Sequence, residues 1–188
     1  MNNEIKFYLD KEGMGINSSV IAPEFRANPE LLIPKRATDG SAGYDIINPY
    51  NSSIEIYEDT ITILDTFLKI KLPKDYFVEL RLRSSSAIKR GIIIPNSSHV
   101  IDADYFDTGC SIKLPLTVAS AIYVHKAGER RVIMDDKKHV HNPRNKNSVI
   151  IRKGEKIAQL VIMKYFTTDD DYVTETRTGG IGSTGKNI

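Results

Sequence analysis

The 188-residue chain has little that would place it in a membrane, a disulfide scaffold or a nucleic-acid complex. Cys110 is its only cysteine, which excludes an intrachain disulfide and favours a reducing compartment. No stretch approaches the ~18 consecutive apolar residues of a membrane span, and Met1–Asp10 lacks the apolar run of a signal peptide. We therefore expect a protein that is not secreted, in the cytoplasm or in a nuclear or host-cell interior. A formal net charge of +2 is too small to indicate nucleic acid as the partner.

The composition is that of one globular domain. Apolar residues make up 40% and charged residues 27% of the chain, which are ordinary values for a folded protein. A chain of 188 residues is long enough to bury a core and short for two domains. The prediction is a single domain over residues 1–188.

Alternation of apolar and polar residues dominates the middle of the chain. Leu68, Ile70 and Leu72 are apolar and are separated by lysines, and residues 78–82 and 112–118 repeat the pattern. Such alternation predicts half-buried strands, and the short intervals between turn-forming residues are typical of a sandwich or barrel. Helical periodicity is confined to Ser85–Arg90. The expected fold is all-β with one short helix.

Three segments are expected to lie outside that core. Residues 1–30 precede the first motif as an N-terminal extension, and residues 125–147 form a charged excursion between strands. A solvated loop is the ordinary interpretation of such a stretch, with protein or nucleic-acid binding as the alternative. Residues 177–188 are rich in glycine and lack a core-building pattern, so we expect a tail that stays mobile until a ligand binds.

The tail contains one misleading motif. Gly180–Lys186 has the spacing of a phosphate-binding P-loop, but Asn187 stands where a serine or threonine should reach magnesium. A P-loop must also lead into a helix. We therefore reject a P-loop, although a glycine-rich backbone can still fold over phosphates.

Five short segments, taken together, are more specific than any one of them. They are SAGYDI (Ser41–Ile46), RSSSAIKRGI (Arg83–Ile92), VIDADY (Val100–Tyr105), GEKIAQL (Gly154–Leu160) and GGIGSTG (Gly179–Gly185). In this order they resemble the five motifs of the trimeric deoxyuridine triphosphatases (dUTPases), over about residues 31–118 and 149–186. The resemblance implies a jelly-roll-like β-barrel of the dUTPase type and a homotrimer with shared active sites. It also implies hydrolysis of dUTP to dUMP and pyrophosphate.

The third motif would supply the catalytic carboxylate. The resemblance assigns Asp102 to hold the sugar 3′-hydroxyl and orient the attacking water, which suits a carboxylate within hydrogen-bonding reach. Tyr105 would pack on the deoxyribose and leave no room for a 2′-hydroxyl. Taken alone, Asp102 would be a turn-capping aspartate and Tyr105 a half-buried strand residue.

The second and fourth motifs would bind the triphosphate. Arg83 and Ser84 match the family's phosphate contacts, and Ser84 would donate to the oxygen bridging the α- and β-phosphates. Ser85 would support this turn as a backbone and helix-start position. Gln159 resembles a further phosphate donor, although it could otherwise be an exposed strand residue.

The first motif would sit near a metal ion. Asp45 resembles the family aspartate that acts on magnesium through a bound water. Mg²⁺ is usually held by phosphates and few carboxylates, so we expect it to arrive with the triphosphate. The ion would neutralise the pyrophosphate leaving group.

The fifth motif and its neighbours depart from the family pattern. Arg177, Ile181, Gly182, Ser183 and Thr184 would contact the substrate, but Arg177 lies one residue closer to the glycines than the family arginine. Ile181 replaces the phenylalanine that covers uracil, and isoleucine cannot stack π on π.

Two further departures lie around the third motif. His99 replaces a glycine in the hairpin whose backbone is expected to read uracil, so its side chain would affect base selection. Two residues are inserted after Phe106, where the family runs directly to glycine.

These departures keep two alternatives open. The chain could be a dUTPase-like protein that binds a nucleotide or a partner without efficient turnover, or a dCTP deaminase of the related fold. The water-orienting Asp102 argues against a pure binder, and the glycine-rich tail and SAGYDI favour hydrolysis.

Overall fold

A computed structural model describes residues 4–15, 19–58, 60–119, 124–126, 129–131, 148–175, 177 and 179. These described residues are mostly strands and turns, which confirms the prediction of an all-β fold. None of the helices within them is long and apolar enough to cross a membrane.

The described residues form fourteen strands and three short α-helices. The strands, β1 to β14, are Lys6–Leu9, Lys35–Arg36, Gly43–Ile47, Ile54–Tyr57, Thr62–Asp65, Leu68–Lys71, Tyr76–Leu82, Ile92–Ile93, His99–Asp102, Lys113–Val118, Val124–Lys126, Glu129–Arg131, Ser148–Ile151 and Lys156–Lys164. The helices, α1 to α3, are Lys11–Met14, Pro23–Ala27 and Ser84–Arg90, and 3-10 turns cover Pro29–Leu32 and Ala103–Thr108.

The largest sheet has five strands in the order β2-β3-β14-β7-β9, all antiparallel to their neighbours. A second sheet has the order β5-β10-β8, and three strand pairs complete the fold: β1–β6, β4–β13 and β11–β12. The long strand β14 lies at the centre of the large sheet, where Leu160 is opposite Tyr44 of β3 and Leu80 of β7. This strand therefore fixes the relative positions of the first, second and fourth motifs.

The alternating strands place their apolar residues in one core. Val78 and Leu80 of β7 are fully buried, while Arg81 between Leu80 and Leu82 is exposed. Leu114 and Leu116 of β10 face the same core from the other sheet. Because side chains alternate between the two faces of a strand, this pattern could be predicted from the sequence.

The predicted helix is α3, which begins at Ser84, ends at Arg90 and is capped by Gly91. The expectation of a single short helix is wrong, because α1 and α2 are also present. Gly91 has φ 70° and ψ 13°, a left-handed conformation that costs glycine little. The Ser86 hydroxyl is buried and donates a hydrogen bond to the Ile157 carbonyl at 3.0 Å. This bond ties the first turn of α3 to strand β14.

The described part of the N-terminal segment, residues 4–15 and 19–30, belongs to the folded body, which corrects the expectation that residues 1–30 lie outside the core. Strand β1 pairs with β6, and the two short helices α1 and α2 follow it. Met14, Phe25 and Leu32 pack with Phe67 into a second apolar cluster. A four-residue strand whose partner lies about sixty residues away leaves no local signal, since pairing depends on long-range contacts.

The charged excursion is described only at the strand pair β11–β12, where His125 lies opposite Arg130. The rest of residues 125–147 lies outside the described residues, so its expected solvation stays a prediction. Cys110 is partly exposed and packs against the main core.

Candidate active site

A first group of polar residues, here called the basic cluster, surrounds Asp45 on β3. The carboxylate is 8% exposed. Arg83 Nε lies 3.1 Å from Asp45 Oδ1, and Lys156 Nζ lies 2.8 Å from Oδ2 in a direction that does not suit a hydrogen bond. A nearly buried carboxylate is thus held by two cations, each of which keeps a third or more of its side chain exposed. Such exposed cations are suited to an anionic ligand.

Strand register places the other predicted phosphate ligands beside this cluster. Gln159 on β14 lies opposite Asp45 on one side and Arg81 on the other. Its side chain crosses Gly43 so closely that a Cβ there would lie 2.2 Å from Gln159 Oε1. Glycine at position 43 is therefore required for the observed placement of Gln159. Ser84 and Ser85 are exposed on the first turn of α3, directly after Arg83.

A second group, here called the acidic cluster, lies where β9 ends. Asp102 and Asp104 each keep 48% of their side chains exposed and both pair with Arg177 of the tail. Arg177 bonds Asp102 through one terminal nitrogen and Asp104 Oδ1 through Nε at 3.0 Å. Its guanidinium also lies 5.7 Å from the centre of the Tyr105 ring. Arg177 therefore covers both Asp102, the predicted catalytic carboxylate, and Tyr105, the ring predicted to pack on the deoxyribose and here called the sugar platform.

Tyr105 is fixed in position by its neighbours. The residue is 6% exposed, and its hydroxyl donates to the Ser111 carbonyl at 3.2 Å. The Thr108 hydroxyl donates to the Tyr105 carbonyl at 2.7 Å, which closes the 3-10 turn. Burial raises the pKa of Tyr105 above its ordinary value, so the phenol stays protonated and neutral.

One chain does not bring the two clusters together. Asp102 lies opposite Phe77 at one end of β7, while Arg83 follows Leu82 at the other end. Six residues of strand separate those positions, which corresponds to about 20 Å. The predicted catalytic carboxylate and the predicted phosphate ligands therefore lie near opposite ends of β7 in one chain.

His99 lies on the opposite face of β9 from Asp102. It is paired with the buried Leu80, and it shares its face with Ile101 because residues two apart point the same way. Its Nδ1 is buried and has no hydrogen-bond partner among the described residues. Burial lowers the pKa of His99, so the imidazole is neutral near pH 7. The predicted contact of this side chain with a base remains a prediction.

Part of the predicted site lies outside the described residues. Ile181, Gly182, Ser183 and Thr184 belong to that part, so their predicted contacts remain predictions. Two contributors were missed by the sequence interpretation, namely Lys156 and Asp104. Both stand inside quoted motifs, and their charge beside a predicted site residue was the available signal.

The metal prediction can be tested against the carboxylates present. No group of three or more His, Cys, Asp or Glu side chains suited to a metal ion occurs among the described residues. Asp45 has one buried oxygen without a hydrogen bond and two cations beside it. This donor set fits an ion that arrives with phosphates and touches Asp45 through water, and it does not form a metal cage of its own.

Fold and site together define an all-β protein with a cation-rich and a carboxylate-rich cluster on one sheet. The dUTPase family model matches residues 30–146, well over half of the chain. The deoxyuridine 5′-triphosphate nucleotidohydrolase of Rickettsia prowazekii (strain Madrid E) is 34% identical over 158 residues, which cover 81% of this chain and 88% of the relative. The chain therefore belongs to the dUTPase family.

Solved structures agree with this assignment. A dUTPase from Streptococcus mutans superposes with a TM-score of 0.53 at 26% identity, covering 74% of this chain and 91% of that chain. A mutant dUTPase from phage phi11 of S. aureus gives a TM-score of 0.57 at 20% identity, covering 92% and 98%. The predicted fold, a jelly-roll-like β-barrel of the dUTPase type, is confirmed.

Proposed function

We propose that the chain hydrolyses dUTP to dUMP and pyrophosphate. The observation that carries the proposal is the division of chemistry between the two clusters of a dUTPase-family chain. Exposed cations and hydroxyls lie in one cluster, and a carboxylate beside an aromatic ring lies in the other. A nucleoside triphosphate offers an anionic end and a sugar end that match these two chemistries.

The acidic cluster takes the sugar and the attacking water. Asp102 accepts a hydrogen bond from water and directs its lone pair at the α-phosphorus, since an ionised carboxylate is an acceptor. The face of Tyr105 packs on the deoxyribose, where a 2′-hydroxyl would collide. In this scheme Arg177 must release Asp102 before water can occupy the carboxylate, and it is then free to bind a phosphate.

The basic cluster takes the triphosphate. Arg83 and Gln159 bind phosphate oxygens, and Ser84 donates to the bridging oxygen on which charge develops as the bond to the α-phosphorus breaks. Ser85 supports the turn that presents Ser84. Magnesium, when bound beside Asp45, supplies positive charge that lowers the cost of the pyrophosphate leaving group. The mutant phage phi11 dUTPase, a structural neighbour, coordinates a structural Mg(II) ion.

The active unit in this proposal is a homotrimer with sites shared between chains. The two clusters of one chain are about 20 Å apart. A nucleoside triphosphate cannot reach across this distance and still hold its α-phosphorus beside Asp102. Closed cyclic symmetry places the acidic cluster of one chain against the basic cluster of the next and repeats this contact three times. The tail over residues 177–188 then closes on the bound triphosphate as a lid.

Pyrophosphate release tests the proposed activity. Each of dUTP, UTP, dCTP and dTTP is incubated with the protein and Mg²⁺, and pyrophosphate and ammonia are measured. The proposal expects pyrophosphate from dUTP in clear excess over the other three. Ammonia from dCTP would establish the deaminase alternative, and nucleotide binding without either product would establish a binding protein. Equal turnover of dUTP and UTP would overturn the role of Tyr105.

A further inference from the structure

The segment that follows Tyr105 makes a contact that no motif predicts. The inserted residues extend a 3-10 turn from Ala103 to Thr108, and Phe106 lies within it. The Phe106 ring packs on Tyr8 of strand β1, with ring centres 5.2 Å apart and planes inclined by 51°. This tilted geometry is favourable for an aromatic pair. The N-terminal strand is thus joined to the residue next to the sugar platform.

Tyr8 is itself held in a fixed position. Strand β1 pairs with β6, where Tyr8 lies opposite Lys69. Just beyond the strand, the Asp10 backbone N–H donates to the Phe67 carbonyl at 2.8 Å, and its carboxylate lies 3.2 Å from Lys69 Nζ. Because strand β1 is anchored in this way, the Tyr8 ring stays in place and restrains Phe106 when the turn moves.

Restraint of Phe106 passes directly to Tyr105. The two residues are adjacent in the turn. The Thr108 hydroxyl donates to the Tyr105 carbonyl at 2.7 Å, and the Gly109 N–H donates to the Phe106 carbonyl at 3.2 Å. The turn therefore moves as a unit. Tyr105 is also held by its hydroxyl bond to the Ser111 carbonyl, by core packing and by Arg177 over its ring.

We propose that the Tyr8–Phe106 ring pair is a positioning clamp that sets how sharply Tyr105 excludes a 2′-hydroxyl. The inference rests on the proposed function, because the sugar platform is part of it. Tyr8 and Phe106 are positioning residues and touch no substrate. Steric exclusion of a 2′-hydroxyl requires that the Tyr105 ring does not move. A more mobile turn therefore admits a ribonucleotide before it disturbs the position of the attacking water.

The test compares kcat and KM for dUTP and UTP in full-length variants. Tyr8→Ala should narrow the preference for dUTP roughly two- to tenfold, the range that loss of one ring pair allows. The change should appear as a lower KM for UTP and a higher KM for dUTP, with kcat for dUTP little altered. Tyr8→Phe keeps the ring and should keep the wild-type preference.

Phe7→Ala is the matched control. Phe7 neighbours Tyr8 on β1 but packs on Tyr44, with ring centres 5.3 Å apart, so its loss removes a ring pair without touching the turn. It should lower the unfolding temperature at least as much as Tyr8→Ala while leaving the preference unchanged. If Tyr8→Ala does not fold, Phe106→Leu carries the same test, since it keeps an apolar side chain and removes the ring.

The double variant Tyr8→Ala with Phe106→Ala decides whether the two rings act together. If the ring pair is a clamp, the double variant should narrow the preference for dUTP over UTP no further than Tyr8→Ala or Phe106→Ala alone. All three variants lose the same ring contact. An unchanged preference in Tyr8→Ala or Phe106→Leu, with wild type still favouring dUTP, would overturn the clamp alone. A wild-type protein without any preference would instead overturn the proposed function.

Discussion

The basic and acidic clusters are built in different ways, although both lie on the same five-stranded sheet. The basic cluster is assembled by register: Asp45 on β3 and Gln159 on β14 lie opposite each other, and Arg83 follows the neighbouring β7. The acidic cluster is mostly a run of adjacent residues, Asp102 to Tyr105, with Arg177 added from the tail. Sheet geometry thus keeps the phosphate ligands together, and a single turn keeps the sugar and water ligands together.

The two clusters also differ in how they balance charge. In the basic cluster two cations share one nearly buried carboxylate, which leaves positive charge at the surface. In the acidic cluster one arginine serves two half-exposed carboxylates. The two clusters thus offer different chemistry, and about 20 Å of strand separates them in one chain. In the proposed function neither cluster is a complete site by itself.

The largest expected effect comes from the acidic cluster. Asp102→Asn keeps the size of the side chain and one acceptor oxygen but removes the charge that orients water. Turnover of dUTP should fall by about 10²–10⁴, the usual contribution of general-base assistance, while nucleotide binding changes much less. Asp104→Asn is the matched control, because Asp104 also pairs with Arg177 and is equally exposed. Similar losses in both variants would mean that pairing with Arg177, and not water orientation, is what matters.

The corresponding change in the basic cluster is Ser84→Ala. Loss of a donor aimed at developing charge should lower kcat by about 10²–10³ with little change in KM. Ser85→Ala, one residue along the exposed first turn of α3, should have a much smaller effect. A rise in KM with unchanged kcat would show that Ser84 only holds the ground-state substrate.

Removal of residues 177–188 bears on both clusters. The truncation deletes the predicted lid and frees Asp102 from Arg177. Turnover should fall roughly tenfold or more because the lid is lost, while the fold and assembly should survive. Circular dichroism and sedimentation check the fold and the assembly. In the intact protein, a non-hydrolysable dUTP analogue with Mg²⁺ should protect the tail from proteolysis. Turnover that rises on truncation would identify the Arg177 contact as inhibitory.

The smallest effect concerns His99, which shares β9 with Asp102 but faces the core. Burial lowers its pKa from an ordinary value of 6.5. Below that pH the unfolded chain binds a proton that the folded chain does not, so the free energy of unfolding falls as the pH drops. The loss is a fraction of the ~1.4 kcal/mol per pH unit that one proton can contribute. His99→Gln should weaken the pH dependence of the free energy of unfolding between pH 7 and 5.5, measured by urea denaturation. If the variant shows the same pH dependence as the wild type, the effect does not come from His99.

Local sequence predicted the acidic cluster better than the basic one. Asp102 and Tyr105 are three residues apart, so their motif contains most of their geometry. Alternation in β7 and β10 likewise predicted buried faces, because the period of two is a local property. Lys156 stood in a quoted motif, yet its contact with Asp45 depends on pairing between strands more than a hundred residues apart.

The same limit explains why the N-terminal packing was missed. Strand β1 is short, and its pairing with β6 is decided by long-range contacts. The Tyr8–Phe106 pair joins residues almost a hundred positions apart. Neither ring belongs to a motif, and an isolated aromatic residue in a strand indicates only that it packs on something.

In the proposed trimer each active site joins the acidic cluster of one chain to the basic cluster of another. Two inactive variants, Asp102→Asn and Ser84→Ala, test it when they are unfolded together, refolded in equal amounts and assayed for pyrophosphate release from dUTP. Random mixing should restore activity at about a quarter of all sites, because about three quarters of the trimers are mixed and each of these joins one intact Asp102 to one intact Ser84. If mixed trimers demonstrably form and show only the summed activity of the two parents, each site uses both clusters of one chain and the shared-site trimer is wrong.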